Sequence, residues 1–360
     1  ALTGCPTFHA AKIPDVATAR HAIASGLVDM VGMTRAHMTD PHIVRKIIEG
    51  REDDIRPCVG ANYCLDRIYN AGAAYCIHNA ATGRETTMPH EIPKAVHKRK
   101  VVIVGAGPGG LEAARVAAER GHEVVVYELA DKPGGQIRLT AQSERRKEMI
   151  SIIDWRMAQC ERLGVTFHFN TWADTAVVLD ENADVVIVAT GGMPHTEVLA
   201  HGNQYLVSSW DIISGDVKPG RNVLVYDDAG DHAGLQAAEF IARSGAKTEI
   251  MTPDRSFAPE VMGMNLVPYM RAYSDLTKTR LVDQVVVNHG TRPLDELYFE
   301  LKPLAINEGA VEYMDLIVGK PQTVVSNPDG RFQLFRIGDA VASRNTHAAI
   351  YDALRLVKDL

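Results

Sequence analysis

Residues 101–136 read VVIVGAGPGGLEAARVAAERGHEVVVYELADKPGGQ, and the order of elements in this segment predicts the fold class. A β-branched strand runs into Gly105-x-Gly107-x-x-Gly110, an alanine-rich helix follows, and a second apolar run ends at Glu128. The three glycines permit a tight turn, a close approach of the backbone to a pyrophosphate, and close packing of helix on strand. The N-terminus of the helix adds unpaired N–H groups for the phosphates. Glu128 stands 23 residues after Gly105, where an acid binds ribose hydroxyls, so the segment predicts an adenine dinucleotide or ADP site.

The composition fits a globular protein of two or three domains. The chain has 360 residues, of which 46% are hydrophobic and 23% charged. A net charge of −7 argues against nucleic acid and anionic membranes as partners, and no apolar run is long enough to span a bilayer. Five cysteines without a secretion signal point to a reducing compartment, so we expect a cytoplasmic protein. Because the chain starts at Ala1 and enters patterned sequence at once, we also expect a fragment of a longer protein.

Four segments are expected along the chain. Residues 1–49 contain two βα units, with strands at 6–13 and 27–33 and a helix from about 40 to 48. Residues 50–98 are rich in loops and hold three of the five cysteines. Residues 99–205 together with 320–360 form the nucleotide-binding domain, and residues 206–319 form a second Rossmann-like domain that includes a strand at 311–317.

Three further glycine motifs accompany the first one. They are Gly134-Gly135-Gln136, Ala189-Thr190-Gly191-Gly192 at a strand end, and Gly338-Asp339. In this order they resemble the glutathione-reductase-like flavoproteins with two dinucleotide-binding domains. The resemblance implies that the Gly-Asp pair contacts the ribityl and phosphate region of FAD and that the ATGG segment packs near the flavin side. The cofactor-binding residues predicted for this domain are Gly105, Gly107, Gly109, Gly110, Glu128, Gly135, Gln136, Thr190, Gly191, Gly338 and Asp339. These motifs do not distinguish FAD from ADP.

The second Rossmann-like unit departs from that family's pattern. After the strand 222–226 the chain reads DDAGDHAG over residues 227–234, so Asp replaces the turn glycine. Asp227, Asp228 and Asp231 then cluster where a pyrophosphate would approach, and like charges disfavour the binding of an anion. The segment still predicts strand, turn and helix. We therefore expect a folded domain with a degenerate NAD(P) site, in which Asp227 and Asp228 face the position of the pyrophosphate.

The cysteine-containing loop is the most specific resemblance. Residues 57–85 read PCVGANYCLDRIYNAGAAYCIHNAATGRE and are similar to the cluster loop of the trimethylamine dehydrogenase and 2,4-dienoyl-CoA reductase family, where four thiolates hold a [4Fe–4S] cluster. The resemblance implies Cys58, Cys64 and Cys76 as ligands, with Ala61 at the position of the remaining ligand. Three alternatives stay open: a [3Fe–4S] cluster, a [4Fe–4S] cluster with a non-cysteine ligand, and a loop with buried thiols.

The N-terminal segment resembles the last two βα units of an old-yellow-enzyme-type (β/α)₈ barrel from the same family. In such barrels the loops after strands seven and eight bind the FMN phosphate. The resemblance implies Gly32 and Arg35 as the phosphate partners, and the alternative is a surface arginine that caps a helix. The first six barrel units are absent from the sequence, and the catalytic residues belong to them. No catalytic residue is therefore assigned.

The fold class predicted is α/β: a remnant of a (β/α)₈ barrel followed by two Rossmann-like dinucleotide-binding domains of the glutathione-reductase type. Histamine dehydrogenase and N-methylproline demethylase-like enzymes are similar neighbours. The resemblance implies an oxidoreductase in which an amine reduces FMN and the cluster relays electrons to an acceptor such as electron-transferring flavoprotein. An NAD(P)H-dependent enoate or flavin reductase is the alternative, and an inactive nucleotide-binding module is the alternative for these 360 residues alone. We expect a small amine as substrate and a homo-oligomer.

Overall fold

The computed structural model describes residues 4–10, 13–272 and 282–360. None of the helices in these ranges combines the length and the apolar character that a bilayer crossing needs.

The N-terminal segment forms two short parallel βα units. Its elements are β1 (Phe8–His9), α1 (Val16–Ala24), β2 (Met30–Val31), α2 (Thr34–Thr39) and α3 (Ile43–Ile48). The strands are shorter than predicted, and residues 11 and 12 of the predicted strand 6–13 lie outside the described residues. The helix predicted at about 40–48 is α3, which begins at Ile43. Helix α2 lies before the predicted range and ends where the Asp40 backbone is extended. Phe8 and Met30 are 65% and 48% exposed, so the strand pair carries apolar side chains in contact with solvent.

The cysteine-containing loop packs beside these units and holds one helix, α4 (Tyr63–Tyr69). The first part of the nucleotide-binding unit follows, and its elements are β3 (Lys100–Val104), α5 (Pro108–Arg120), β4 (Glu123–Tyr127), α6 (Gln136–Thr140), α7 (Ser151–Arg162), β5 (Thr166–His168), α8 (Thr175–Asp180) and β6 (Val185–Val188). Strand β3 lies between β4 and β6, with Val102 opposite Val125 on one side and Val186 on the other. Successive strands are therefore added first on one side of β3 and then on the other. This reversal of strand order opens a crevice at the carboxyl ends of the strands.

The chain then crosses into a second parallel sheet and returns. Strand β7 (Gly192–Pro194) leads out, and the second unit consists of β8 (Leu206–Ser208), α9 (Ser209–Ser214), β9 (Asn222–Asp227), α10 (His232–Arg243), β10 (Lys247–Met251), α11 (Gly263–Ala272) and β11 (Gln284–Asn288). Strand β12 (Thr291–Pro293) leads back and pairs antiparallel with β7. The strand order is β10-β9-β11-β8, and all neighbours are parallel.

The remaining elements complete the first unit. They are α12 (Glu296–Leu301), α13 (Tyr313–Val318), β13 (Gln333–Arg336) and α14 (Thr346–Val357). Strand β13 is added beside β6, which gives the order β13-β6-β3-β4-β5. The predicted strand at 311–317 is wrong, because this segment is the helix α13, capped by the Glu312 side chain at its start and by a left-handed Gly319 at its end. Tyr298 and Leu301, which the prediction places in the second domain, pack under the first sheet.

Both faces of the first sheet are covered. Val101 and Ile103 of β3 point into a cluster with α5, α7 and α14, whereas Val102 and Val104 point into a cluster with α8 and α12. This is the two-sided burial expected of a parallel sheet with continuous apolar strands. The predicted α/β class with two Rossmann-like units is confirmed.

Candidate functional site

The glycine turn after β3 has the geometry of a nucleotide-binding turn. Gly105 has a φ of +106°, and a Cβ atom there would lie 2.3 Å from the Ala189 carbonyl oxygen. A Cβ atom on Gly110 would lie 1.9 Å from the Gly105 carbonyl oxygen, so only glycine lets α5 approach the strand this closely. Each glycine thus has a steric reason within the protein itself.

Gly107 is different, because a Cβ atom there would meet nothing within 4 Å. It is the residue that precedes α5, and its extended backbone faces open space at the N-terminus of that helix. Gly135, with a φ of +49°, lies opposite: a Cβ atom on it would be 3.6 Å from the Gly107 Cα. Two glycine backbones therefore border the space where phosphates would bind. Gly109 instead packs against α14, because a Cβ atom on it would lie 3.3 Å from the Ala349 carbonyl oxygen of that helix.

Two carboxylates border this cleft. Glu128 accepts hydrogen bonds from the backbone N–H groups of Ala106 (2.6 Å) and Ala130 (2.9 Å), which holds it beside the glycine turn. Asp339, from the C-terminal part of the chain, accepts a 3.0 Å bond from the Gln136 Nε2. Burial raises the pKa of Asp339. The fold therefore brings the Gly338-Asp339 and Gly135-Gln136 motifs together from 203 residues apart.

Thr190 and Gly191 have a different environment from the other motif residues. The Thr190 hydroxyl donates to the Leu294 carbonyl, and the Leu294 N–H donates back to the Gly191 carbonyl at 3.0 Å. These bonds join the segment before β7 to the segment after β12, the two places where the chain passes between the domains. The pair thus lies at the interdomain junction, at the end of β6.

The three loop cysteines lie within electrostatic reach of one another. Burial raises the pKa of the Cys58 thiol, and Cys76 raises it further. Burial likewise raises the pKa of Cys64, with added contributions from Cys76 and Cys58. Cys160 lies elsewhere, in the core of the first domain.

These thiols are not arranged as a site for a single metal ion. Among the described residues, no three His, Cys, Asp or Glu side chains are placed to share one ion. A single zinc ion needs its donors at about 2.0–2.3 Å, whereas thiolates of a cluster each bind a different iron atom and stand farther apart. Cys58, Cys64 and Cys76 are close enough together that Cys76 adds to the effect of burial in raising the pKa of Cys58 and Cys64.

The barrel-like segment meets the cysteine loop at a cavity of about 130 Å³. Gly32 and Arg35 from the N-terminal units line it, together with Cys58 from the loop. The Arg35 guanidinium donates a 3.0 Å hydrogen bond to the Asn62 side chain, next to Ala61. The predicted phosphate partner and a predicted cluster ligand therefore share one cavity.

The turn after β9 differs from the prediction in one respect. Asp227 is 1% exposed and points into its own turn, where it accepts bonds from the Gly230 N–H (3.0 Å) and the Asn288 side chain (2.8 Å). The expectation that Asp227 faces the pyrophosphate position is therefore wrong. Burial raises the pKa of Asp227 to about 6. Asp231 instead stands at the N-terminus of α10 and accepts a 2.8 Å bond from the Ala233 N–H. A carboxylate of the protein already occupies the position that attracts an anion.

Two residues near the thiols escaped the sequence analysis. The Thr39 hydroxyl lies 3.5 Å from the Cys76 Sγ, and the His347 Nδ1 lies 2.9 Å from the Cys76 carbonyl oxygen. Since a carbonyl only accepts, His347 carries its proton on Nδ1, and burial lowers its pKa to about 4. Their separations from Cys76, 37 and 271 residues, carry no local signal, so only the fold reveals them.

Comparisons with known proteins agree with this geometry. Residues 99–211 match the family of pyridine nucleotide-disulphide oxidoreductases. The whole chain is 70% identical to the probable N-methylproline demethylase of Rhizobium meliloti strain 1021, of which it covers 58%. Over 99% of its length it is 44% identical to the N,N-dimethylglycine/sarcosine dehydrogenase of Chromohalobacter salexigens, again covering 58% of that protein. The chain therefore spans a little over half the length of these curated relatives.

A solved structure shows the same fold. Histamine dehydrogenase from Rhizobium sp. 4-9 superposes with a TM-score of 0.83 at 22% identity, over 98% of this chain and 55% of that one.

Proposed function

Because the chain belongs to the trimethylamine dehydrogenase-like family that its motifs predicted, we propose that the protein is a flavoenzyme that oxidises a secondary or tertiary amine. Electrons leave through an iron–sulfur cluster to an external acceptor such as electron-transferring flavoprotein. The cavity that Arg35 and Cys58 share carries this proposal, because it joins a phosphate site to a cluster ligand. When bound, FMN accepts the electron pair of the amine and the cluster passes electrons on singly.

Arg35 and Gly32 would hold the FMN phosphate. The guanidinium is a fork of N–H donors that suits phosphate oxygens, and its bond to Asn62 fixes its direction. Gly32 fits closely against the residue that follows β1, since a Cβ atom on it would lie 2.8 Å from the Ala10 Cβ. In this chain the two residues orient the phosphate end of the cofactor.

Cys58, Cys64 and Cys76 would hold the cluster. Ala61 supplies no donor from its side chain, and its carbonyl oxygen already accepts a 3.0 Å bond from Asn265. The cluster is then either [3Fe–4S] or a [4Fe–4S] cluster with a non-cysteine ligand at one iron. Iron and sulfide analysis of anaerobically purified protein decides whether a cluster is present, and electron paramagnetic resonance distinguishes the two types.

The glycine turn at 105–110 would bind FAD or ADP. The open side of Gly107 and the facing backbone of Gly135 receive the pyrophosphate, and the N-terminus of α5 stabilises its charge. Glu128 is positioned for the ribose hydroxyls. Denaturing the protein and identifying the released nucleotide by chromatography distinguishes FAD from ADP.

The second Rossmann-like domain would bind no nicotinamide nucleotide. Asp231 at the start of α10 repels a pyrophosphate at the position where it would need the helix N-terminus. This favours an enzyme that is reduced by its amine substrate over an NAD(P)H-dependent reductase.

One spectroscopic experiment separates these functions. The visible spectrum of the purified full-length protein is followed anaerobically while N-methylproline or N,N-dimethylglycine is added, and separately while NADH or NADPH is added. Bleaching of the flavin by an amine alone is the expected result. Rapid bleaching by NADH at micromolar concentration would support the enoate or flavin reductase instead. Nucleotide binding without any bleaching would support the inactive nucleotide-binding module.

Two further expectations belong to the proposal. All five cysteines are free, which suits a reducing cytoplasm. A homo-oligomer would appear as a multiple of the mass of one full-length chain in light scattering coupled to size-exclusion chromatography.

A further inference from the structure

One short helix connects the phosphate site to the cysteine loop. Helix α2 carries Arg35 near its start and Thr39 at its end, four residues apart and therefore on one face. Arg35 lines the cavity beside Cys58, and the Thr39 hydroxyl lies 3.5 Å from the Cys76 Sγ. Thr39 and Cys76 are both buried, at 2% and 8% exposure. A polar contact of this kind, shielded from water, is stronger than one at the surface.

The loop that follows Cys76 holds the end of this helix in place. The Asn79 Nδ2 donates a 2.9 Å bond to the Thr39 carbonyl. The Thr82 hydroxyl donates a 2.6 Å bond to the Met38 carbonyl. Because both bonds join the same loop to the same helix end, the position of the Thr39 hydroxyl relative to the sulfur is fixed by the fold.

The hydroxyl of Thr39 has one proton and three acceptors within reach: the Arg35 carbonyl, the Cys76 sulfur and the Cys58 sulfur. In the thiol form it donates to the Arg35 carbonyl at 3.0 Å, and the Cys76 S–H is free to donate to the hydroxyl oxygen. A cysteine that binds iron is a thiolate and has no proton to donate. A charged acceptor forms the stronger hydrogen bond, so the hydroxyl proton turns toward the sulfur.

We propose that Thr39 donates a hydrogen bond to the Cys76 thiolate and thereby raises the reduction potential of the cluster. Hydrogen bonds to cluster sulfurs stabilise the more negative, reduced state. Thr39 acts through Cys76 and is a positioning and tuning residue. This inference rests on the proposed function, because it requires the cluster.

The test compares three variants of the purified protein with the wild type. Thr39→Val removes the hydroxyl at nearly constant shape, and Thr39→Ser retains it. Thr82→Val is the matched control, since it also removes a buried hydroxyl from the junction of loop and helix, but one that donates to a backbone carbonyl. Iron and sulfide content and the midpoint potential, from a redox titration followed by electron paramagnetic resonance, are measured for each.

The expected result is a lower midpoint potential in Thr39→Val only, with Thr39→Ser and Thr82→Val close to the wild type. Equal potentials in all four proteins, or equal shifts in both valine variants, would overturn the role of Thr39 while leaving the cluster itself in place. Absence of iron and sulfide from the wild type would instead overturn the proposed cluster, and this inference with it.

A second measurement covers the case in which Thr39→Val assembles no cluster. Pulsed electron–nuclear double resonance of the wild type and Thr39→Ser in H₂O and D₂O detects exchangeable protons near the reduced cluster. The Gly60 and Leu65 N–H groups also bond cluster cysteines and contribute exchangeable protons. A further coupled exchangeable proton in both proteins, beyond these two, supports the bond from Thr39, and its absence from the wild type refutes it.

Discussion

Replacing Glu112 by Gln should destabilise the nucleotide-binding domain strongly. Glu112 is 1% exposed on α5 and accepts bonds from Arg156 Nε at 2.8 Å and from Arg115 Nη2 at 2.7 Å. Burial alone would raise the pKa of Glu112, but Arg115, Arg156 and Arg56 outweigh burial and hold the pKa well below its usual range. The carboxylate is therefore ionised and neutralises a buried group of cations.

The size of the effect follows from what remains after the substitution. Glutamine leaves the buried Arg156 without an anion, and removing one partner of a buried pair costs about 3–5 kcal/mol. For a domain of this size, each kcal/mol lowers the melting temperature by about 2–4 °C, which gives a decrease of roughly 6–20 °C. Arg156 also donates a 2.8 Å bond to the His78 carbonyl, so the cysteine loop should loosen at the same time.

Glu119→Gln is the matched control. Glu119 also accepts a bond from Arg115, at 2.5 Å, but its side chain is 28% exposed and Arg115 keeps Glu112 as a partner. Its loss should cost about 1 kcal/mol or less, as for other solvent-accessible pairs. Differential scanning calorimetry and guanidinium denaturation measure both variants. Equal losses of unfolding free energy in Glu112→Gln and Glu119→Gln would refute the argument from burial.

Further predictions concern the glycine turn, the second domain and the cysteine loop. Gly107→Asp should change the melting temperature of the nucleotide-free protein by only a few degrees but abolish ADP or FAD binding in calorimetric titration. Gly110→Ala should lower both the melting temperature and the affinity, because its Cβ atom would meet a backbone oxygen. Unchanged binding by Gly107→Asp would contradict the assignment. The folded pKa of Asp227, about 6, lies above the unfolded value of 3.8, so the folded state binds the proton more tightly and unfolding free energy should fall by roughly 3 kcal/mol as the pH rises from about 4 to about 6. Asp227→Asn should flatten that dependence in urea titrations at several pH values, and a slope equal to that of the wild type would count against it. Cys64→Ala should reduce the iron content measured by mass spectrometry, and full retention would remove Cys64 from the ligand set.

The two Rossmann-like units could be predicted because their signals are local. In each unit an apolar run forms a strand, and a turn and a helix follow it directly. These runs precede Gly105 in the first unit and Asp227 in the second. The prediction of a strand from an apolar run was wrong at 311–317. This segment forms the helix α13, because Glu312 and Gly319 cap a helix there. Capping by a glutamate side chain is a weak signal in sequence, so the apolar run dominated the prediction.

The contacts between segments could not be predicted in the same way. The bond between Gln136 and Asp339 spans 203 residues, and the contact between Thr39 and Cys76 spans 37. The inward direction of Asp227 depends on Asn288 from a neighbouring strand, which the sequence of the turn does not contain. Each of these features arises only when the strands are arranged in their sheets.

The pairing of β6 with β13 has a consequence for synthesis on the ribosome. The second domain lies between these strands, so Val185 meets its partner Gln333 only after 148 further residues have been added. At a synthesis rate of about 5–20 residues per second, one edge of the first sheet lacks its last strand for roughly 7–30 s. During that interval the edge beside Val185–Val188 exposes unpaired backbone groups and apolar side chains, and such an edge recruits other chains. Nascent chains halted between β7 and β12 should therefore bind chaperones and aggregate more readily than chains released after α14.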